Sequence, residues 1–326
     1  MIRFVALGTS GTFPTDKRNH PSFYFEYKGI GILLDCGENT QRQMKIAKIS
    51  VTKLKYILIT HWHGDHVLGL PGILFSLANS EYNKELNIIL PKGYKNNLEM
   101  LIEAYKIPIN FDINIKEVNS KERIEDKEFF IEILPVKHDI ETLAYSIKQK
   151  DYWKLINEKL KEYGLFGKHK LLEELKAKGK IFYKGKEIKV NEIGYLKKGF
   201  KFTYITDTLF FDDLIEFSRD SDILLIESMY YNNKEMAENY KHLDFSDVLK
   251  IKEKSNSKIV LLTHFSQRYE EELDKIKEII ENLYFDIYLL KDFDKFIYEK
   301  NIIELNIGGK IIRYKRDEKT GDISKV

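Results

Sequence analysis

Six consecutive residues, His61-Trp62-His63-Gly64-Asp65-His66, constrain this chain more than any other part of it. They directly follow YILIT, an apolar, β-branched run that reads as a strand, so the cluster stands at a strand end. Three imidazoles and a carboxylate buried as packing would need many hydrogen-bond partners and would contribute little apolar area. A metal ion satisfies them together. In an extended segment alternate residues face one side, which pairs His61 with His63; the turn at Gly64 delivers Asp65 and His66 to an adjacent position. Two ions are therefore expected.

A pair of ions needs more ligands than one loop supplies. Other strand ends carry the right chemistry: His138 follows FFIEILPVK, Asp207 follows FTYIT, and His264 follows KIVLLT. Each alone has an ordinary reading, as a surface histidine, a helix cap and a buried hydrogen-bonded histidine. Three ligand-type residues at three independent strand ends form a set.

The rest of the chain supports a sandwich of sheets and helices. IRFVALG, SFYFEYKG, IGILLDCG and KYILIT read as strands, while ENTQRQMKIAKIS, PGILFSLANS and NNLEMLIEAYK read as helices between and after them. This order points to the α/β class. KFTYITDT, DILLIES and KIVLLTHF repeat the pattern after residue 200. The segment 149–198 breaks it, with a helical stretch at LINEKLKEYG and a hairpin at IFYKGKEIKV, and is expected to be an insertion. From Lys148 to Lys201 there are sixteen lysines against seven acids, a net charge of +9. The whole chain carries +2, so the remainder is at −7. Charge alone fits either a solvated lysine-rich surface or a clamp for a phosphate backbone. The C-terminal segment 313–326, with its run KRDEKTGDISKV, is expected to be a disordered tail.

No apolar span of membrane-crossing length occurs, and MIRFVALG lacks the features of a signal peptide. Cys36 is the single cysteine, which forbids an intramolecular disulfide. The expectation is a cytoplasmic protein with no membrane partner.

LGTSGTFP, LLDCGENTQRQM, ITHWHGDHVLGLPG, TDT and THFSQRY occur in that order and together resemble tRNase Z, the tRNA 3′-processing endoribonuclease of the metallo-β-lactamase superfamily. The resemblance covers nearly the whole chain. H-x-H-x-D-H specifies only the superfamily, whereas GENTQRQ, HGDHVLGLPG and HFSQRY narrow it to this nuclease and its relatives. The fold implied is the metallo-β-lactamase fold, a four-layer αββα sandwich. Residues 1–148 and 199–312 would form the catalytic domain, and 149–198 an inserted tRNA-binding arm.

The resemblance also implies that His61, His63 and His138 hold one metal, that Asp65, His66 and His264 hold the other, and that Asp207 bridges them. Two Zn2+ per subunit are expected, with manganese or iron as alternatives. The implied reaction hydrolyses the phosphodiester at the 3′ side of precursor tRNA, removes the trailer and leaves a 3′-hydroxyl. Asp65 would orient the water, and His242, supported by Glu227, would protonate the leaving ribose oxygen. Ser266 and Arg268 are the expected phosphate contacts, and Arg18, in the loop Pro14 to Asn19, a further expected substrate contact. A homodimer is implied, each arm serving the other subunit's site.

Three segments depart from the family pattern. Leu243 and Asp244 replace small hydroxyl residues beside His242, YGLFGKHK lacks the proline usual in the arm, and Asp16 stands where many relatives have lysine in the loop Pro14 to Asn19. The competing reading is a small-molecule hydrolase of the same fold, arylsulfatase-like or lactonase-like, which would use the same metals without needing an arm.

Overall fold

Apolar runs buried on both faces need cover on both sides, and the protein supplies it. The structure, a computed structural model describing residues 1–326, places two β-sheets face to face. The larger sheet has ten strands, running from the edge strand Ile323–Lys325 through Lys310–Arg316, Ile302–Ile307, Lys295–Glu299, Ile2–Gly8, Ser22–Tyr27, Ile30–Leu34, Leu54–Leu58 and Leu86–Pro91 to Ile113–Val118. The smaller has seven: Ile287–Leu289, Ile259–Thr263, Ile223–Glu227, Lys201–Ile205, Thr142–Gln149, Phe129–Val136 and Glu122–Glu125.

Aromatic residues fill the space between the sheets. Phe4, Phe23 and Phe25 from the first sheet meet Phe202 and Tyr204 from the second, with the rings of Phe25 and Phe202 centred 5.2 Å apart. Each such pair contributes about 0.5–1.5 kcal/mol beyond the area it buries. Helices Thr40–Ile46, Leu70–Ala78 and Lys95–Ala104 cover the outside of the first sheet through Met44, Leu74, Leu77 and Leu98. Helices Asp213–Ser218, Phe245–Ser255 and Leu273–Leu283 cover the second through Leu214, Ile251 and Ile280. Four layers result, as expected.

The parallel strands decide where function sits. Lys201–Ile205, Ile223–Glu227 and Ile259–Thr263 run parallel in one sheet, and Ile30–Leu34, Leu54–Leu58 and Leu86–Pro91 do so in the other. Within each sheet their C-terminal ends share a rim, and the loops leaving those ends carry the polar residues singled out above.

Residues 149–198 form a single excursion. Strands Thr142–Gln149 and Lys201–Ile205 are antiparallel neighbours with Lys148 opposite Lys201, so the chain leaves and returns at one point. The excursion has a stem, Tyr152–Leu155 paired with Gly194–Lys197, then helices Asn157–Glu162 and His169–Lys178 and the hairpin Lys180–Tyr183 with Lys186–Lys189. Lys184 and Gly185 both take positive φ in the hairpin turn, 49° and 77°, which matches the twist of the flanking strands. Leu160, Leu165, Leu175, Ile181, Ile188 and Ile193 give it a small core of its own. The second helix and the stem were not foreseen; the stem strands are four residues each and become strands only by pairing with one another.

The segment 313–326 is not a disordered tail. Tyr314 enters the core between the sheets, where its hydroxyl meets that of Tyr288 at 2.5 Å, and Ile323–Lys325 pairs with Lys310–Arg316. Arg316 is buried against Asp222 at 2.5 Å. The run's many charges mask the inward alternation of Tyr314 and Arg316, which is what orders it.

Candidate active site

The loop after Leu54–Leu58 alternates as its sequence requires. His61 and His63 turn inward with ring centroids 4.7 Å apart, and Trp62 turns away to stack on Tyr94. His63 caps the short helix Gly64–Val67, which carries Asp65 and His66. From the second sheet come His138, after Phe129–Val136, and Asp207 and His264, each just beyond the end of its strand. Asp207 and His264 adopt left-handed backbone, φ 49° and 61°. Such a conformation costs a non-glycine residue roughly 1–2 kcal/mol and persists only where the surroundings dictate it. Here the His264 N–H donates to Thr9 O at 3.1 Å, and the Thr208 N–H, next to Asp207, donates to Glu227 Oε1 at 2.9 Å.

The donor atoms fall into two groups around one carboxylate. Oδ2 of Asp207 lies 3.6 Å from His61 Nε2 and 3.8 Å from His138 Nε2. Its Oδ1 lies 3.4 Å from His264 Nε2 and 3.7 Å from His66 Nε2. His61, His63 and His138 form one close triad, and Asp65, His66 and His264 another. These separations are too long for hydrogen bonds. They suit ligands sharing an ion, since tetrahedral ligands about 2.0–2.1 Å from zinc stand roughly 3.3 Å apart.

Hydrogen bonding gives the same answer. Nε2 of His61 and His66 and both ring nitrogens of His264 are buried without any partner, a costly state unless a cation takes them up. The outward nitrogens of the other histidines are engaged: His61 Nδ1 with Thr60 Oγ1 at 3.0 Å, His66 Nδ1 with Asp35 Oδ2 at 2.8 Å, and His138 Nδ1 with Lys241 O at 3.1 Å. Such partners orient the rings and aim the free lone pairs at the centre. Burial opposes charge on Asp65 and Asp207, yet the surrounding imidazoles hold both carboxyls well below the usual range. Burial likewise opposes charge on His66, and Asp65, Asp35 and Asp207 overcome it and hold that ring well above its usual range. The cluster requires positive charge at its centre, and a metal would displace the proton from His66. The donor set therefore fits a pair of divalent ions.

Beside the cluster, Glu227 ends its strand fully buried, and its Oε2 lies 3.0 Å from Nδ1 of His242. Burial lowers the imidazole pKa, but Glu227 and then Asp207 outweigh it and push the value up to about 9. The His242 and His138 rings are 5.2 Å apart. Leu243 and Asp244, the departures next to His242, are structural in this protein: Leu243 is in the core, and Asp244 caps helix Phe245–Ser255 by accepting the Ser246 N–H at 2.9 Å.

A cleft of about 620 Å³ opens over the cluster, with Phe13, Leu68, Tyr240, Ser266 and Arg268 in its lining. Ser266 and Arg268 are thus brought to the site, and Arg268 makes no ion pair. Arg18 is not brought there. Its guanidinium is buried, donating to Glu270 at 2.5 Å and 2.9 Å and to Phe265 O at 3.0 Å, so its donors face the protein and not a substrate. The expectation for Arg18 is corrected: it clamps the loop, while Asp16 and Lys17 stay exposed.

Asp35 was missed. It accepts hydrogen bonds from Thr60 N–H at 2.7 Å and Tyr204 OH at 2.8 Å besides holding His66. Its signal was present in ILLDCG, an apolar run ending on a carboxylate like the one before Asp207.

Comparison with known proteins agrees with this geometry. Residues 2–153 match a family model described as anti-Pycsar protein Apyc1, and residues 177–265 one described as a beta-lactamase superfamily domain. The chain is 42% identical over 298 residues to the ribonuclease Z of Nanoarchaeum equitans, covering 91% of this chain and 93% of that protein. It is 35% identical over 301 residues to the ribonuclease Z of Pyrococcus horikoshii, covering 92% and 97%. The solved structure of human tRNase Z, short form, superposes with a TM-score of 0.66 over 90% of this chain and 98% of that one, at 20% identity, which shows a shared fold. With identity of this degree along nearly its whole length and the metallo-β-lactamase fold to match, the chain belongs to the ribonuclease Z family.

Proposed function

We propose that this protein is a metal-dependent endoribonuclease that cuts precursor tRNA at the 3′ side, removes the trailer and leaves a 3′-hydroxyl. The observation that carries the reading is an insertion, 149–198, with a net charge of +7 and its own core, on a body whose ligand cluster suits two ions. A small ester or sulfate would not need such an arm. Ribonuclease Z relatives at 42% and 35% identity support the same reaction.

His61, His63 and His138 would hold one Zn2+ and Asp65, His66 and His264 the second, with Asp207 shared; manganese or iron suits the same donors less closely. When bound, such a pair supplies Lewis acidity towards a phosphodiester and a nucleophile at neutral pH. Asp65, held beside His66 and His264, accepts a hydrogen bond from the attacking water and sets its direction. As the bond from phosphorus to the ribose 3′ oxygen breaks, protonated His242 gives that oxygen its proton, and the phosphate stays with the trailer. Glu227 keeps the imidazole charged and aimed. Arg268 and Ser266 meet the phosphate at the cleft, and exposed Phe13 and Tyr240 offer flat rings to bases. The lysines of 149–198 grip the tRNA body.

In the same reading the enzyme is a cytoplasmic homodimer, each arm serving its partner's site. No helix is long and apolar enough to cross a membrane, and the single cysteine is buried. Light scattering that gives a monomer mass would remove the dimer from the account.

The test is a substrate panel on the zinc-loaded protein: a 3′-extended precursor tRNA, a small phosphodiester, an aryl sulfate and a lactone. The precursor tRNA should have by far the highest kcat/KM. Brisk turnover of the sulfate or lactone with no tRNA cut would replace the nuclease with a small-molecule hydrolase.

A further inference from the structure

The basic excursion joins the catalytic body through its short stem, and one carboxylate sits at the joint. Oε2 of Glu318 accepts from Lys154 Nζ at 2.7 Å and Tyr195 OH at 2.5 Å, and Oε1 accepts from Lys197 Nζ at 2.9 Å and from Asn301 Nδ2. Lys154 lies on one stem strand, Tyr195 and Lys197 on the other, and Asn301 in the turn between Lys295–Glu299 and Ile302–Ile307 of the ten-stranded sheet. A single side chain therefore ties both stem strands to the body. Its neighbours fix the hinge itself. The Lys198 N–H donates to the backbone carbonyl of Glu318 at 2.9 Å, and Arg316 donates to Lys198 O at 2.9 Å and Gly199 O at 3.0 Å. At Gly199 an added Cβ would fall 2.0 Å from Gln149 O, so the outgoing and returning backbones touch there.

Glu318 is 14% exposed, and Lys197 16%. Burial opposes its charge, but the bonds from Lys154, Tyr195, Asn301 and Lys197 outweigh that and keep the carboxyl far below its ordinary range. The cluster is fully paired: a carboxylate's acceptor sites filled by four donors from three chain segments.

We propose that Glu318 is a positioning residue for tRNA cleavage: it locks the stem to the catalytic body and so sets where the basic arm stands when tRNA binds. The proposal rests on the arm being the tRNA clamp. An arm free to pivot at a two-strand hinge must be ordered each time substrate binds, which weakens binding without touching the chemistry. Loss of the brace therefore raises KM for tRNA and leaves kcat unchanged. Charge alone predicts the opposite sign, because replacing Glu318 by a neutral residue makes the region more basic and would tighten RNA binding.

The experiment measures kcat and KM on a 3′-extended precursor tRNA and on bis(p-nitrophenyl) phosphate for the full chain, Glu318→Gln, Tyr195→Phe, Lys197→Met, the Glu318→Gln/Lys197→Met double variant, and a chain lacking 150–198. The three body cores contain no residue of 150–198, so that chain keeps them. Glu318→Gln should raise KM for tRNA about tenfold, roughly 1.4 kcal/mol, and leave turnover of the small phosphodiester unchanged. Lys197→Met should raise KM less in the Glu318→Gln background than in the wild type, since the two share the Lys197–Glu318 bond while Lys197 also holds Asn301. Tyr195→Phe deletes one bond with little change of shape and should raise KM about threefold, which keeps the test open if Glu318→Gln folds poorly. An unchanged or lowered KM in Glu318→Gln and Tyr195→Phe, with a raised KM in the armless chain, overturns the brace. Undiminished tRNA cleavage by the armless chain overturns the arm reading on which it rests.

Discussion

Nδ1 of His66 lies 2.8 Å from Oδ2 of Asp35, and neither side chain reaches solvent. With Thr60 and Tyr204 on the same carboxylate, Asp35 fixes the ring that aims Nε2 at the centre of the cluster. Asp35→Asn should therefore weaken metal retention by roughly 10–100-fold, with activity recovering in excess zinc. Metal content after dialysis, measured by mass spectrometry, checks this; wild-type content in the variant would mean that Asp35 serves the fold alone.

His242 and Glu227 should separate proton donation from binding. His242→Asn should lower the single-turnover rate on precursor tRNA by about 10²–10⁴-fold while tRNA affinity and metal content hold. Glu227→Gln should fall by a smaller factor, because the ring survives and loses only charge and orientation. If His242→Asn cuts at the wild-type rate, the leaving oxygen gets its proton elsewhere.

The two arginines should behave oppositely. Arg18 is buried in its pair with Glu270, so Arg18→Ala strands that carboxylate and should cost about 3 kcal/mol of stability, seen as a lower Tm, with KM for a small phosphodiester unmoved. Arg268 is exposed and unpaired at the cleft. Arg268→Ala should leave stability within about 0.5 kcal/mol and raise KM for tRNA severalfold. A thermally silent Arg18→Ala would contradict its placement.

Acid should erase the contribution of Glu318. Its folded carboxyl is depressed by its four donors, so the stabilisation is fully present above the unfolded value of about 4.3 and is lost as pH falls towards the folded value. The Tm gap between wild type and Glu318→Gln should thus be wide above about pH 5 and shrink steadily below about pH 4. A gap that stays constant from pH 7 to pH 3 would show that the network does not depend on charge.

The ligand set was legible because His61, His138, Asp207 and His264 each follow an apolar, strand-like run and carry ligand chemistry, while its division into two triads rested on the family resemblance. Asp35 also ends an apolar run on a carboxylate, but its role is to orient His66, 31 residues away, a contact that only the fold makes. Arg18 was misread for a related reason: its partner Glu270 is 252 residues away, and only the fold brings the two together. The last two strands escaped notice because exposed charged residues dominate their composition while Tyr314 and Arg316, on Lys310–Arg316, face inward. Local pattern reports periodicity and chemistry, and it is silent on long-range partners.

The most direct measurement is to incubate the zinc-loaded protein with a 3′-extended precursor tRNA and map both product ends, beside Asp65→Ala. The account predicts one metal-dependent cut near the discriminator base, a 3′-hydroxyl on the tRNA and a 5′-phosphate on the trailer, with none of these in the variant. A cut that persists in Asp65→Ala, or no cut in any precursor tRNA, would contradict it.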